Sequence, residues 1–271
     1  MDKFRIGEGS RLKLSKYDPD ETGKFSGENG RAECEAKTAK LLEKMAKLQN
    51  LLFASRSHAL LIIVQAMDGS GKDSTISNVM QSVSPQGVQT TYYKAPTSLE
   101  LSHDYLWRIH NACPPKGMIG IFNRSHYEDV LITRVHGWVD KKTAKKRFGQ
   151  IRNFEQMLSD NGTKILKFYL NISLEEQRKQ LQERVDDPSK RWKFNPGDLE
   201  ERKRWPDYMS AYEDAISATS TDESPWYVVP GNERWYRNYV IVGAIVQALE
   251  AMKLSFPAGD KTVNWDTLKI V

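Results

Sequence analysis

Cysteine and long apolar runs are both scarce in this chain, and each shortage excludes a class of protein. Two cysteines, Cys34 and Cys113, stand among 271 residues. They show no metal-like spacing and give no disulfide framework, which fits a reducing compartment. The most apolar stretch, "ALLIIV" at 59–64, is far too short to span a bilayer. The opening "MDKFRIGEGSRLKLSKYDPDETGKF" has no apolar core of signal-peptide length. The expectation is a soluble, cytoplasmic protein with no membrane partner. The chain also lacks internal repeats, low-complexity tracts, an aromatic-rich RNA motif and a helix-turn-helix signature. A basic nucleic-acid-binding module with a vestigial phosphate loop is therefore the weaker of the possible readings.

Positive charge is present in modest excess. Forty Lys and Arg stand against 35 Asp and Glu, a net charge of +5. The balance suits an anionic partner such as a nucleotide or a phosphate polymer, and equally a mildly basic surface.

The hydrophobic pattern alternates between two periods. Apolar strand candidates lie at 59–66, 88–93, 118–122, 164–170 and 226–229. Helical stretches are expected near 31–55, 72–82, 98–111, 142–160, 173–185, 198–218 and 232–253. Strands alternating with helices predict an α/β fold with a mainly parallel, five-stranded sheet covered on both faces. One composition regime throughout predicts a single domain over 1–271. Residues 1–30 read as an extended arm leading into the first helix. The apolar positions of that helix suit either packing on the sheet or an oligomer contact. The segment 186–207, "DDPSKRWKFNPGDLEERKRWPD", is rich in charge and proline and reads as an excursion over one end of the sheet.

The stretch "AMDGSGKDST", residues 66–75, follows the first apolar strand and opens a helix. That context fits a phosphate loop, although Ala66 replaces the usual first glycine and Asp73 the usual final hydroxyl. Gly69 and Gly71 let backbone N–H groups turn inward, and Lys72 can bridge phosphoryl oxygens. Ser70, Asp73 and Ser74 complete the candidate polyanion-binding segment. In the usual loop the hydroxyl holds Mg²⁺. With it absent, Asp68 is the candidate metal ligand, whereas Asp73 suits the positive end of the helix dipole. A second cluster, "IFNRSHYEDVLITRVH", ends the third strand, the end at which open α/β sheets bind ligands. Asn123, Arg124, Glu128, Asp129 and Arg134 are candidates there.

These blocks, together with "YYKAPTSLELSHDYLWRIH", "DDPSKRWKFNPGDLEERKRWPDYMSAYEDAI" and "SATSTDESPWYVVPGNERWYRNYVI", resemble the polyphosphate kinase type 2 family over about residues 30–255. The resemblance is closest to the subgroup that phosphorylates both AMP and ADP. It implies a P-loop kinase fold similar to thymidylate kinase, with 186–207 as a lid. It implies transfer of a terminal phosphoryl group from inorganic polyphosphate to a nucleotide, with Mg²⁺ as cofactor and a homodimer or homotetramer as the assembly. By motif, Gly69, Gly71 and Lys72 would cradle polyphosphate and Asp68 would bind metal. Many members carry Phe-Asp-Arg-Ser where this chain has Phe122-Asn123-Arg124-Ser125, so Asn123 offers an oxygen without the charge. Glu128 stands where members restricted to one nucleotide often have Asn, which implies acceptance of AMP as well as ADP. Arg124 and Arg184 would contact the migrating phosphoryl group.

A nucleotide phosphate is already anionic, so the transfer requires no strong general base. His126 is the best placed of the five histidines and is equally suited to a structural role. A donor without base or sugar calls for a basic groove. Lys94, Arg108, Lys116 and the run "KKTAKKRFGQIR" at 141–152 are its candidate walls, the run being also readable as a solvated helix face. Trp192 and Trp205 suit stacking on a base or packing. The nearest rival is an ATP-dependent nucleoside or nucleotide kinase of the same fold.

Overall fold

The computed structural model describes residues 1–270. The strands are β1 (Arg5–Ile6), β2 (Ala59–Gln65), β3 (Val88–Tyr92), β4 (Ile119–Asn123), β5 (Thr163–Asn171) and β6 (Trp226–Pro230). The helices are α1 (Gly30–Ser55), α2 (Lys72–Met80), α3 (Ser98–Leu101), α4 (Trp107–Asn111), α5 (Ile132–Val135) and α6 (Lys141–Asp160). They continue with α7 (Leu174–Asp186), α8 (Gly197–Lys203), α9 (Trp205–Thr219) and α10 (Arg234–Ala251).

Strand order is β1-β6-β5-β2-β4-β3, with every pairing parallel except β1 on β6. The sheet thus has six strands rather than the five expected. The sixth, β1, is two residues long and pairs Arg5 with Tyr227 and Ile6 with Trp226. Two residues carry no readable period, and this strand exists only through its partner.

The sheet is buried on both faces: β2 is apolar from Ala59 to Val64 and buried at every position. Leu60, Ile62 and Val64 join α1, α2 and α10 on one side, while Leu61 and Ile63 join α6 and α9 on the other. That continuous apolar run is the mark of a strand covered by helices twice over. On α1, Leu42, Met45 and Leu52 are buried in the core shared with α10. The helix thus uses its apolar face for packing inside the chain.

The arm 1–30 lies against the body. Phe4, Ile6, Leu12, Leu14 and Phe25 are all buried. Two expected helices are each broken in two. Residues 98–111 divide at Ser102–Leu106, and 198–218 divides at Arg204, just before Pro206 in the first turn of α9. Proline fits a first helical turn and disfavours helix in the residue before it. The excursion 187–204 consists of a short 3₁₀ turn (Arg191–Lys193) and α8.

Candidate active site

β2 ends at Gln65 and α2 begins at Lys72, and the six residues between them form the loop. Gly69 and Gly71 have φ of 83° and 80°, the left-handed region that favours glycine. Four loop carbonyls are held by side chains, two by Lys72 at the start of α2 and two from behind by α7 and α10. Lys72 Nζ donates to Ala66 O (2.9 Å) and Met67 O (3.2 Å), Gln177 Nε2 on α7 to Asp68 O (2.7 Å), and Arg237 Nη1 on α10 to Ser70 O (3.0 Å). In a planar trans peptide the N–H points opposite to the C=O. Carbonyls drawn back therefore aim the following N–H groups forward, the arrangement that binds anions at a helix start.

A cavity of about 460 Å³ opens in front of this loop. It brings together Asp68, Gly69, Ser70, Gly71, Lys72, Asp73, Ser74, Lys94, Asn123, Arg124 and Arg184, all named from the sequence. Glu128 lies one step behind. In the orientation that satisfies both ends of its amide, Gln65 donates to Glu128 Oε1 at 2.9 Å and accepts from Ser125. Arg134 is not brought into the cavity; its Nη2 pairs with Asp214 Oδ2 at 2.6 Å on α9. Asp129 faces Arg147 on α6, and Arg108 donates to Lys94 O (3.0 Å). Lys116 sits beside Gly162 at the opposite end of the sheet. Lys141, Lys142, Lys145 and Lys146 lie exposed on α6, outside the cavity. The basic run is thus a solvated face.

At the centre, Arg124 Nη2 donates to Asp68 Oδ1 at 2.6 Å, and Lys72 Nζ lies 3.5 Å from the same oxygen. Burial pushes the Asp68 carboxyl up, but Lys72 and Arg124 outweigh it and hold the group below its usual range. Burial lowers the Lys72 ammonium, with Asp68 opposing. Glu128 goes the other way: burial raises its carboxyl in spite of Arg124 and Lys72. Arg124 itself has φ of 62°, a left-handed conformation rare for a side-chain-bearing residue. It marks the point where the chain turns sharply out of β4 toward Asp68.

At the loop and the end of β4 the carboxylate and amide oxygens facing the cavity are those of Asp68, Asp73 and Asn123, and α7 adds Gln180 and Glu183 to its wall. Among the described residues no group of three His, Cys, Asp or Glu is placed to hold a metal ion. Two carboxylates and one amide, hard oxygen donors beside a phosphate site, nevertheless fit Mg²⁺. That ion takes one or two protein carboxylates and completes its shell with phosphate and water. Asn123 Nδ2 donates to Asp73 Oδ1 at 2.6 Å.

Sequence reasoning passed over several wall residues. Tyr92, Tyr93, Lys190, Lys193 and Arg234 also line the cavity. Their charges are visible in the sequence, but their convergence depends on how 187–204 folds back. Arg184 fixes that return, donating to Asp198 Oδ2 (3.1 Å) and Lys193 O (3.3 Å). Trp192 is exposed, whereas Trp205 packs on the core formed with α6 and α9.

A second charged cluster lies behind the first. Lys167 on β5, Glu155 on α6 and His126 are all buried. Lys167 Nζ donates to Glu155 Oε2 (2.5 Å), Thr219 O (2.7 Å) and Tyr127 Oη (3.1 Å). Tyr127 Oη and His126 Nε2 reach Glu155 Oε1 at 2.8 and 3.3 Å. His126 is thereby bound into the scaffold. A charged residue inside an apolar strand, as Lys167 is in "KILKFYL", is the sequence signal that points to this cluster.

A parallel sheet with a phosphate loop after its central strand defines a P-loop kinase fold. The chain belongs to the polyphosphate kinase 2 family, whose profile matches residues 28–257. It is 48% identical to the AMP/ADP-polyphosphate phosphotransferase of Meiothermus ruber, over 95% of this chain and 96% of that protein. It is 42% identical to the ADP-polyphosphate phosphotransferase of Rhodopseudomonas palustris, over 94% and 91% of the two chains. The crystal structure of polyphosphate kinase 2 from Arthrobacter aurescens is similar throughout, with a TM-score of 0.92, 44% identity and coverage of 98% of this chain and 94% of that one.

Proposed function

We propose that this chain transfers a terminal phosphoryl group from inorganic polyphosphate to AMP and to ADP, giving ADP and ATP, with Mg²⁺ as the metal. The observation that carries this reading is one cavity walled by a phosphate loop and by cations from the β3–α3 loop, the turn after β4, α7, the 187–204 excursion and α10. A phosphate polymer has no base or sugar to hold, so charge along a groove is how a protein retains it. The names of the similar proteins support polyphosphate over a nucleoside triphosphate as donor.

In the reaction an oxygen of the acceptor's phosphate attacks the terminal phosphorus of the chain. A P–O bond forms as the bridging P–O bond breaks, and the electron pair leaves on the shortened polyphosphate. Lys72 releases the Ala66 and Met67 carbonyls to meet the transferring group, and Arg124 and Arg184 spread its charge. Asp68, Asp73 and Asn123 would hold the metal, which neutralises phosphoryl oxygens when bound. Glu128, held by Gln65 and within reach of the Arg124 and Lys72 charges, is assigned to the acceptor side. The excursion 187–204, tied down through Arg184, is the lid that excludes water. The chain acts as one domain in the cytoplasm, as a homodimer or homotetramer.

The test is light output from luciferase with purified protein, Mg²⁺, long-chain polyphosphate and AMP, and no added ATP. ATP is the expected product. Its absence from both AMP and ADP would overturn the reading. ATP from ADP alone would remove only the role given to Glu128.

A further inference from the structure

Arg237 lies on the buried face of α10, in register with Val240, Ile241, Ala244 and Ile245, and is 2% exposed. A guanidinium so placed ordinarily meets a carboxylate. Here it does not: no ion pair to Arg237 forms among the described residues. Nη1 donates to Ser70 O at 3.0 Å and Gly231 O at 3.3 Å, while Nε and Nη2 have no acceptor. The one carboxylate acting on it from nearby, Glu176, accepts instead from Gln180 Nε2 at 2.6 Å. Ser70 Oγ is likewise buried without a partner. Between them is a gap of about 10 Å³, room for about one water, bordered also by Gly69, Gly71, Gly231, Arg234 and Glu176.

The guanidinium thus sits directly under the phosphate loop with no carboxylate in direct contact, Glu176 acting on it only from across the gap. A Cβ on Gly71 would come within 3.4 Å of Nη1 and 3.5 Å of Nη2. Gly71 N–H has no protein acceptor among the described residues. Because Arg237 draws Ser70 O backward, that N–H is aimed away from α10 and toward the cavity. Burial and Arg234 lower the guanidinium's pKa to about 10, which leaves it charged at neutral pH. A buried cation with no protein counter-ion is costly, and an anion on the loop supplies the missing charge.

We infer that Arg237 is a positioning residue for the donor: it aims the Gly71 N–H, and its buried charge makes the phosphate chain the counter-ion that the protein itself does not provide. The inference rests on the polyphosphate reading above. It is specific to the donor side, because Arg237 lies behind the loop and away from Glu128 and the acceptor.

The experiment compares Arg237→Met, Arg237→Gln and Arg237→Lys with wild type. Tripolyphosphate binding is measured by calorimetry, and KM for polyphosphate and KM for ADP separately. Arg237→Met is expected to weaken tripolyphosphate binding and raise KM for polyphosphate by about tenfold or more, the scale of a lost charged hydrogen bond, with KM for ADP unchanged. Lysine is expected to restore most of the loss and glutamine to restore little, since glutamine keeps donors without the charge. If the methionine variant does not fold, the lysine and glutamine pair decides. Unchanged polyphosphate affinity in the neutral variants would overturn the inference, as would equal losses toward ADP and polyphosphate. A wild type that binds no tripolyphosphate would overturn it too. A wild type that binds tripolyphosphate without transferring phosphate would overturn only the proposed reaction, and the binding arm still judges Arg237.

Discussion

Two charged clusters are fed by one short turn, and they are built to opposite rules. Residues 123–130 send Asn123 and Arg124 forward to the cavity, Glu128 to the layer just behind it, and His126 and Tyr127 back into the core. In the rear cluster Lys167 uses all three donors, and both Glu155 oxygens accept, Oε2 from Ser224 as well. In the front cluster Asp68 answers two cations at once, and its carboxyl and the Arg124 side chain remain about a third exposed. The Lys167–Glu155 pair is satisfied within the chain, and in that cluster His126 Nδ1 alone lacks a partner among the described residues. Charges paired internally mark scaffold, and charge left over marks the place where a ligand is needed.

The sharpest way to separate the clusters is to remove one member of each. Lys72→Ala should lower the phosphotransfer rate by about 10³ with little change in melting temperature, read by the luciferase assay and by calorimetry. Glu155→Gln should do the reverse, costing about 3–5 kcal/mol of stability because it leaves Lys167 buried and unpaired. The double change Glu155→Leu with Lys167→Met should recover much of that loss, since replacing both ions removes the burial cost. The contrast fails if Lys72→Ala unfolds the protein or Glu155→Gln is neutral in denaturant titration.

The rear pair also has a pH signature. Burial raises Glu155, but Lys167 and His126 outweigh it, and its carboxyl lies below the usual value. A group with a depressed folded pKa contributes stability above its unfolded pKa, lost as pH falls through the folded one. Below the ordinary carboxylate range wild type should therefore lose stability more steeply than the double variant. Parallel acid curves would contradict this.

A smaller effect is expected in front. Asn123→Asp would set a second carboxylate against Asp73, with which the amide now shares a hydrogen bond. Its melting temperature without metal should fall, and Mg²⁺ should raise it by more than it raises wild type. An equal Mg²⁺ response in both would remove Asn123 from the metal site. The smallest effect belongs to α6, where Lys145→Ala should change stability by less than about 0.5 kcal/mol and leave polyphosphate use intact.

How far the sequence reaches differs between these regions. The phosphate loop was legible because strand, glycines and lysine are contiguous, and the positions of five strands along the chain followed from their apolar runs. Lys190, Lys193 and Arg234 were legible only as charge: the sequence marks 186–207 as an excursion over one end of the sheet, but not which of its side chains, or of α10, reach the loop. Arg134 read as part of the site by its nearness to Glu128 in sequence, yet α5 turns it to Asp214. The rear cluster draws on β5, α6, α9 and the turn after β4, and no window of sequence contains it.

The arm that wraps the body has a consequence for handling the protein. β1 closes the free edge of β6, and Leu12 N and Leu14 N donate to Ser217 Oγ and Glu213 Oε1 on α9. This stretch lies outside the span matched by the family profile. A truncation that begins at residue 28 would keep that span and uncover a fully apolar strand edge, a template for pairing with another chain. Such a trimmed protein would be prone to aggregate on storage, so a purification tag or fusion is better joined beyond residue 257, past the matched span, than in place of the arm.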